Sequence, residues 1–373
     1  MRAQTQERTV WAPGRVNLIG EHIDYHGLPV LPMALRRRVE VTYRPRSDRR
    51  IAAESTPYGR REFEWTENLI PVGAGDWENY LRAAAQAITG KWGAMHGIDA
   101  TLTSDLPAAA GLSSSSALLV AFTLALLEAN GRTASFEELM EILPDGEQFV
   151  GTRGGGMDHA AALASKAGHA TLVNFVPLGV RHVPVPRDWH FLVAHSLQTA
   201  EKSGAARAEY NLRRAAGDAA LARLGRTSYR DFPPSSPYLT ALDLPGPERD
   251  SFRHTTSEAL RVQAAAEAML RGDIEAFGEL LLESHASLRD RLGVSCPALD
   301  RLVGAAVESG AVGARLTGAG FGGCAVVLCG RADAAAVRRG IVERFYASRA
   351  EFDESRHLID AEPGPGALYP ETQ

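Results

Sequence analysis

Arg15, Glu21, His22 and Asp24 share one short stretch, Gly14-Arg-Val-Asn-Leu-Ile-Gly-Glu-His-Ile-Asp24, whose apolar Val16, Leu18 and Ile19 read as a buried strand. Carboxylates accept hydrogen bonds, and an imidazole both donates and accepts, so the group suits a ligand covered in hydroxyls. A salt-bridged turn with Arg15 paired to a carboxylate would use the same residues.

Two further segments carry chemistry. In Leu106-Pro-Ala-Ala-Ala-Gly-Leu-Ser-Ser-Ser-Ser-Ala117, four serines run into an apolar stretch that reads as a buried helix. Unpaired backbone N–H groups and the positive end of the helix dipole meet there, and Gly111 permits close backbone approach, an arrangement suited to a polyphosphate. The Walker pattern and its lysine are absent, and a plain serine N-cap is the alternative. In Glu147-Gln-Phe-Val-Gly-Thr-Arg-Gly-Gly-Gly-Met-Asp158, three successive glycines make sense where the backbone passes close to a ligand, with Asp158 opening a small-residue helix. An aspartate N-cap after a flexible loop fits the same residues. A fourth stretch, Gly313-Ala-Arg-Leu-Thr-Gly-Ala-Gly-Phe-Gly-Gly-Cys324, reads as a glycine-rich turn between strands, either a tight hairpin or a cover on the nucleotide side.

Elements to position these groups are legible in outline. Strands are expected at 28–43, with Arg36-Arg37-Arg38 as a charged connection, and at 51–65, 98–105, 170–176, 190–195, 312–317 and 324–329. Helices are expected at 77–92, 117–127 and 135–143, the last stopped by Pro144-Asp145-Gly146, and then from about 203, at 256–271, 273–290, 297–309 and from about 332. The proline-rich stretch 231–250 reads as a surface loop. At 373 residues two domains are expected, and prolines at 177, 184 and 186 put their boundary near 185, giving 1–185 and 186–373. No GxGxxG follows an early strand, which argues against a dinucleotide fold.

Composition excludes several classes. A net charge of −5 and a pI near 6.1 argue against nucleic-acid or anionic-membrane partners. The lysines are Lys91, Lys166 and Lys202, none beside a glycine-rich loop. Three cysteines (Cys296, Cys324, Cys329) without metal-ligand spacing suggest reduced thiols. No apolar signal core opens the chain, and the longest apolar run, 117–127, is too short to span a bilayer, so a soluble, cytoplasmic protein is expected.

In order and spacing these segments resemble the signatures of GHMP-type sugar kinases and, among them, of galactokinases. Ser295-Cys-Pro-Ala-Leu-Asp300, Ser284-His-Ala-Ser-Leu-Arg-Asp290 and Glu209-Tyr-Asn-Leu-Arg213 extend the resemblance over nearly the whole chain. It implies an α+β fold with an N-terminal α/β domain, a C-terminal ferredoxin-like domain and the active site between them. It implies ATP-dependent phosphorylation of the C1 hydroxyl of galactose, with N-acetylgalactosamine as the alternative sugar. By the resemblance, Glu21, His22, Asp24, Gly156 and Tyr210 hold the sugar, Asp158 is the base and Arg15 lies beside it. Gly111, Leu112, Ser113, Ser114, Ser115 and Ser116 wrap the ATP phosphates, while Ser115 and Glu147 hold Mg²⁺. A cation next to Asp158 keeps it ionised.

The chain departs from many galactokinases at Ile23 (usually threonine), His26 (asparagine) and His159 (glutamine). Ile23, the four serines and Gly154-Gly-Gly-Met-Asp158 are more similar to the branch containing N-acetylgalactosamine kinases and fungal galactokinases. Some relatives in the family bind sugar and ATP yet act as regulators; the complete serine loop and Asp158 argue here for catalysis.

Overall fold

The computed structural model describes residues 6–107, 111–151, 154–199, 205–232 and 243–370, so 233–242, within the proline-rich stretch, lie outside the described residues. The first half runs β1 (Arg8–Ile19), β2 (Leu31–Pro45), β3 (Arg50–Ser55), β4 (Gly59–Glu64), α1 (Glu78–Trp92), β5 (Ile98–Ser104), α2 (Ser114–Ala129), α3 (Phe136–Phe149), α4 (Met157–Ala164), β6 (His169–Phe175) and β7 (Leu178–Pro184). The second runs β8 (Trp189–His195), α5 (Ala205–Arg223), α6 (Gly246–Arg271), α7 (Ile274–Asp290), α8 (Pro297–Glu308), β9 (Gly313–Thr317), β10 (Cys324–Gly330), α9 (Ala334–Ile341), α10 (Glu354–His357) and β11 (Leu358–Asp360).

The first five-stranded sheet has the order β1-β2-β5-β3-β4, with β3 and β5 parallel and the other neighbours antiparallel. Helix α2 is apolar nearly all round, with Leu119, Val120, Phe122, Ala125 and Leu126 fully buried, and it packs on β1, β2, α1 and α4. Such a helix belongs in an interior, which anchors its serine-rich start at the rim of the core. The second sheet is antiparallel, ordered β11-β8-β10-β9. Taken in chain order its strands lie 4-1-3-2, joined by helices after the first and third, which is the ferredoxin-like arrangement.

Sheet membership changes between β7 and β8, but the chain then returns. Leu35 and Pro363 form a β-bridge, and the amides of Gly364, Gly366 and Ala367 donate to the carbonyls of Ala34, Ser165 and Ala162, each at 2.8 Å. The tail of the second half therefore lies on the first.

Three expected elements differ. Arg36, Arg37 and Arg38 sit inside the continuous strand β2 rather than in a connection, because Arg37 reaches the Asp105 carbonyl and Arg38 covers the ring of Trp11. Helix α6 starts at Gly246, ten residues before the expected 256, with Pro247 in its first turn, where the missing N–H has no helical partner to lose. Helix α3 runs through Pro144 to Phe149. Its apolar face (Leu139, Met140, Ile142, Leu143) is buried against α1 and α4, and that packing offsets the roughly 3 kcal/mol an interior proline opposes.

Candidate active site

The site begins at a bulge. Between Pro13 and Arg15 the register of β1 on β2 shifts, and Gly14 lies where a Cβ would come within 2.4 Å of Leu106 and 2.8 Å of the Leu112 carbonyl. Only glycine lets β1 touch the serine-rich loop here, and the bulge re-aims the next side chain. Arg15, 5% exposed, donates through Nε to Asp158 Oδ1 at 2.7 Å and through Nη1 to the Gly111 carbonyl at 2.8 Å. One guanidinium thus joins the candidate base to the serine-rich loop.

The serine loop does more than cap its helix. Ser113 stands at the N-cap of α2 in the left-handed region (φ +57°) and makes no side-chain capping bond. Its hydroxyl donates instead to Asp158 Oδ2 at 2.5 Å. The side chain of Leu112 is buried, and its carbonyl accepts from the Arg15 amide. Ser114 opens the helix, with Ser115 following it in the first turn. Ser116 bonds Glu147 Oε1 at 2.5 Å and lies 3.3 Å from Asp158 Oδ2. The hydroxyl bonded to Glu147 is that of Ser116, next to Ser115, the serine expected to share a metal ion with Glu147; the continued helix α3 carries Glu147 to the start of α2.

Asp158 lies in the first turn of α4 and does not cap it; Gly156, at φ +96°, is the N-cap. The Asp158 side chain keeps 22% of its surface exposed, enough for a substrate hydroxyl to reach it. The glycine run serves a close contact with the chain itself. A Cβ on Gly155 would lie 2.3 Å from the Asp24 carbonyl carbon and the Tyr25 amide nitrogen, and the Gly155 amide donates to Asp24 Oδ2 at 3.1 Å. Gly155 is thus the residue laid against Asp24, with Gly156 following as the N-cap of α4.

Glu21 and His22 are held by the second domain. Glu21, 2% exposed, accepts from Asn17 Nδ2, from Arg315 Nη2 at 2.6 Å and from the Gly318 amide at 2.7 Å. Thr317 Oγ1 lies 3.3 Å from Glu21 Oε1, but its one hydrogen is nearer the Asn17 carbonyl at 3.0 Å, so Oε1 keeps a lone pair beyond the one used by the Gly318 amide. Burial raises the Glu21 carboxyl, and the Arg315 guanidinium and Gly318 amide oppose that rise. His22 is buried and lowered to about 3, chiefly by desolvation, so it is neutral. Its Nε2–H donates to the Ala319 carbonyl at 3.0 Å, leaving Nδ1 to accept from Tyr25 Oη at 3.1 Å. Both ring nitrogens are engaged, so His22 secures the glycine turn rather than offering a free nitrogen. That turn lies against the serine loop, where a Cβ on Gly318 would stand 3.6 Å from the Gly111 carbonyl.

Tyr210 of α5 closes the cleft, its ring 5.1 Å from that of His22. Burial, then the charges of Asp24 and Asp158, push its phenol well above the ordinary value, which keeps it protonated as a donor. Asp24 is raised to about 6, first by burial and then by the Asp158 carboxylate. A raised carboxyl holds its proton more tightly in the folded chain than in the unfolded one, so stability declines as pH rises through roughly 4 to 6. With Asp24 taking a sugar hydroxyl, as proposed below, activity would have the opposite sign, because the ionised form is the stronger acceptor. We expect kcat/KM for the sugar to fall about tenfold per pH unit below 6 as one proton binds; a profile flat down to pH 5 would contradict it.

Residues not anticipated from sequence include Asn17, Tyr25, His254 and Arg315. His254 Nε2 bonds the Glu21 carbonyl at 3.0 Å, and Glu258 accepts from the Gly20 amide at 3.1 Å. The sharp Gly20 turn was the available signal, since its backbone groups must be paired by something.

Fold and cleft define a two-domain small-molecule kinase of the GHMP class. The chain matches the family models described as GHMP kinases N terminal domain (79–166), GHMP kinases C terminal (265–347) and galactokinase galactose-binding signature (2–45). It is 37% identical to the galactokinase of Roseiflexus sp. (strain RS-1) over 90% of this chain and 87% of that relative. It is 34% identical to that of Streptomyces coelicolor over 96% and 93%. The crystal structure of Lactococcus lactis galactokinase complexed with galactose superposes with a TM-score of 0.89 at 27% identity, covering 97% of this chain and 95% of that one. The chain belongs to the galactokinase family.

Proposed function

We propose that the chain transfers the γ-phosphoryl group of ATP to the anomeric hydroxyl of galactose, giving galactose 1-phosphate and ADP. The observation that carries this is the position of Asp158, partly exposed and held by Arg15 and Ser113 between the Asp24 turn and the start of α2. Asp24, the Glu21 acceptor site and the Tyr210 hydroxyl take sugar hydroxyls, while the first turn of α2 faces the phosphates. Asp158 takes the C1 hydroxyl proton as the O1–Pγ bond forms, and the bond from Pγ to the β,γ-bridging oxygen breaks to release ADP. The transition state is loose, so positioning and charge neutralisation supply most of the acceleration. Arg15 stabilises the charge developing between the sugar oxygen and the γ-phosphate.

No group of three or more potential metal-ligating side chains occurs among the described residues. Ser116 with Glu147 fits a Mg²⁺ ion that takes one or two protein oxygens and completes its shell with phosphates and water. Bound there, Mg²⁺ would neutralise phosphate charge. No helix among the described residues is long and apolar enough to cross a membrane.

A coupled ADP-release assay over galactose, N-acetylgalactosamine and arabinose tests the reading. Turnover on galactose is expected, and turnover on the N-acetyl sugar alone would replace it. ATP and sugar binding without turnover would make the chain a sensor.

A further inference from the structure

We propose that His26 is a positioning residue for sugar recognition, its imidazole seated in a notch at Gly217 that fixes where α5 holds Tyr210. The inference rests on the reading above, in which Tyr210 faces the sugar.

The side chain of His26 is 1% exposed although it is polar and follows directly on the sugar turn. Nδ1 lies 3.4 Å from Asp218 Oδ1, and Nε2 is buried without a hydrogen-bond partner. What Nε2 meets is the backbone of α5. A Cβ on Gly217 would lie 2.3 Å from Nε2 and 2.6 Å from Cε1 of His26, so the imidazole occupies the space that any other residue at 217 would need. The notch is held from a second side, because Tyr229 packs its ring 4.8 Å from that of His26 and donates its hydroxyl to the Gly217 carbonyl at 2.9 Å.

Gly217 and Tyr210 are seven positions apart on α5, about two helical turns, and therefore share a face. The short helical turn Asp24–His26 meets that face at both levels. His26 docks at Gly217, while one residue earlier the Tyr25 ring lies 4.6 Å from His26 and 5.6 Å from Tyr210. Tyr25 also bonds His22, whose ring is the other neighbour of Tyr210. Sliding or tilting α5 at residue 217 would move Tyr210 relative to Asp24, while the serine loop and α2, which lie on the first domain, would stay in place.

The test is a steady-state cycle on the full chain, with galactose and ATP varied separately, for G217A, H26A and H26A/G217A. The added methyl of G217A collides with the imidazole and should raise KM for galactose about tenfold or more, with kcat and KM for ATP within about threefold of wild type. H26A should raise it by a smaller factor, about three- to fivefold. The double variant should fall back close to H26A alone, because the methyl then fills the vacated space and meets only the Ser251 hydroxyl, at 3.1 Å. A double variant at the product of the two single effects, or a KM for ATP that rises in step, would overturn the assignment. If G217A shows no cooperative unfolding transition, H26Q and H26A decide. A KM for galactose ordered wild type, H26Q, H26A supports the role, and an unchanged KM in H26A ends it. A wild-type chain without galactose-dependent ADP release would instead sink the functional reading beneath it.

Discussion

Asp158→Asn is expected to lower kcat by about 10²- to 10⁴-fold, equivalent to about 3–5 kcal/mol of barrier, with both KM values changed only a few-fold. Asparagine nearly preserves the shape of the side chain. Its carbonyl oxygen still accepts from Arg15 Nε or from the Ser113 hydroxyl, so the loop and α4 stay docked. What it lacks is a basic oxygen to receive the proton of the C1 hydroxyl. The loss should therefore appear in kcat with both substrates saturating. A variant retaining kcat within about tenfold would remove Asp158 as the base and leave Arg15 and the helix start to carry the reaction through charge stabilisation alone.

Arg315→Leu should produce the largest loss of stability, about 3–5 kcal/mol, because it strands a carboxylate in the core. Arg315 is fully buried, ties Glu21 with Nη2 and reaches the Leu18 carbonyl with Nη1 at 2.9 Å. Deleting it leaves Glu21 desolvated without its counter-charge. The double variant E21Q/R315L should recover part of the loss by removing the stranded charge, a non-additivity expected of groups in contact. Urea unfolding checks both, with the midpoint moving and the slope unchanged. R315L within about 1 kcal/mol of wild type would show that the pair contributes little.

What could be read in the chain before the structure depended on distance along it. The clustering of Arg15, Glu21, His22 and Asp24 is local, and so is the four-serine run at the start of an apolar helix; both were legible. The glycine run was legible as a place of close approach, but its neighbour is Asp24, 131 residues away, and nothing nearby announces that. Arg315 stood in a quoted motif without a role because its partner Glu21 is 294 residues distant. The placing of Glu147 on a helix turned on whether α3 survives Pro144, which local propensity opposes and the packing of Leu139, Ile142 and Leu143 allows. Likewise, the use of Ser113 as a ligand of Asp158 instead of a helix cap follows from its left-handed backbone, which composition does not reveal.

The return of residues 363–367 to the first half makes the polypeptide a closed strap around its own cleft. A protease cutting at the exposed Arg187-Asp188 step would sever the link between the sheets, yet both pieces would stay clasped through Ala34, Ala162 and Ser165. Nicked enzyme should accordingly migrate as one particle on a sizing column and as two bands once denatured. Shortening the chain from its far end before Pro363 would remove that clasp and leave the two pieces joined through the buried contacts of Glu21 with Arg315 and Gly318 and of His254 with the Glu21 carbonyl.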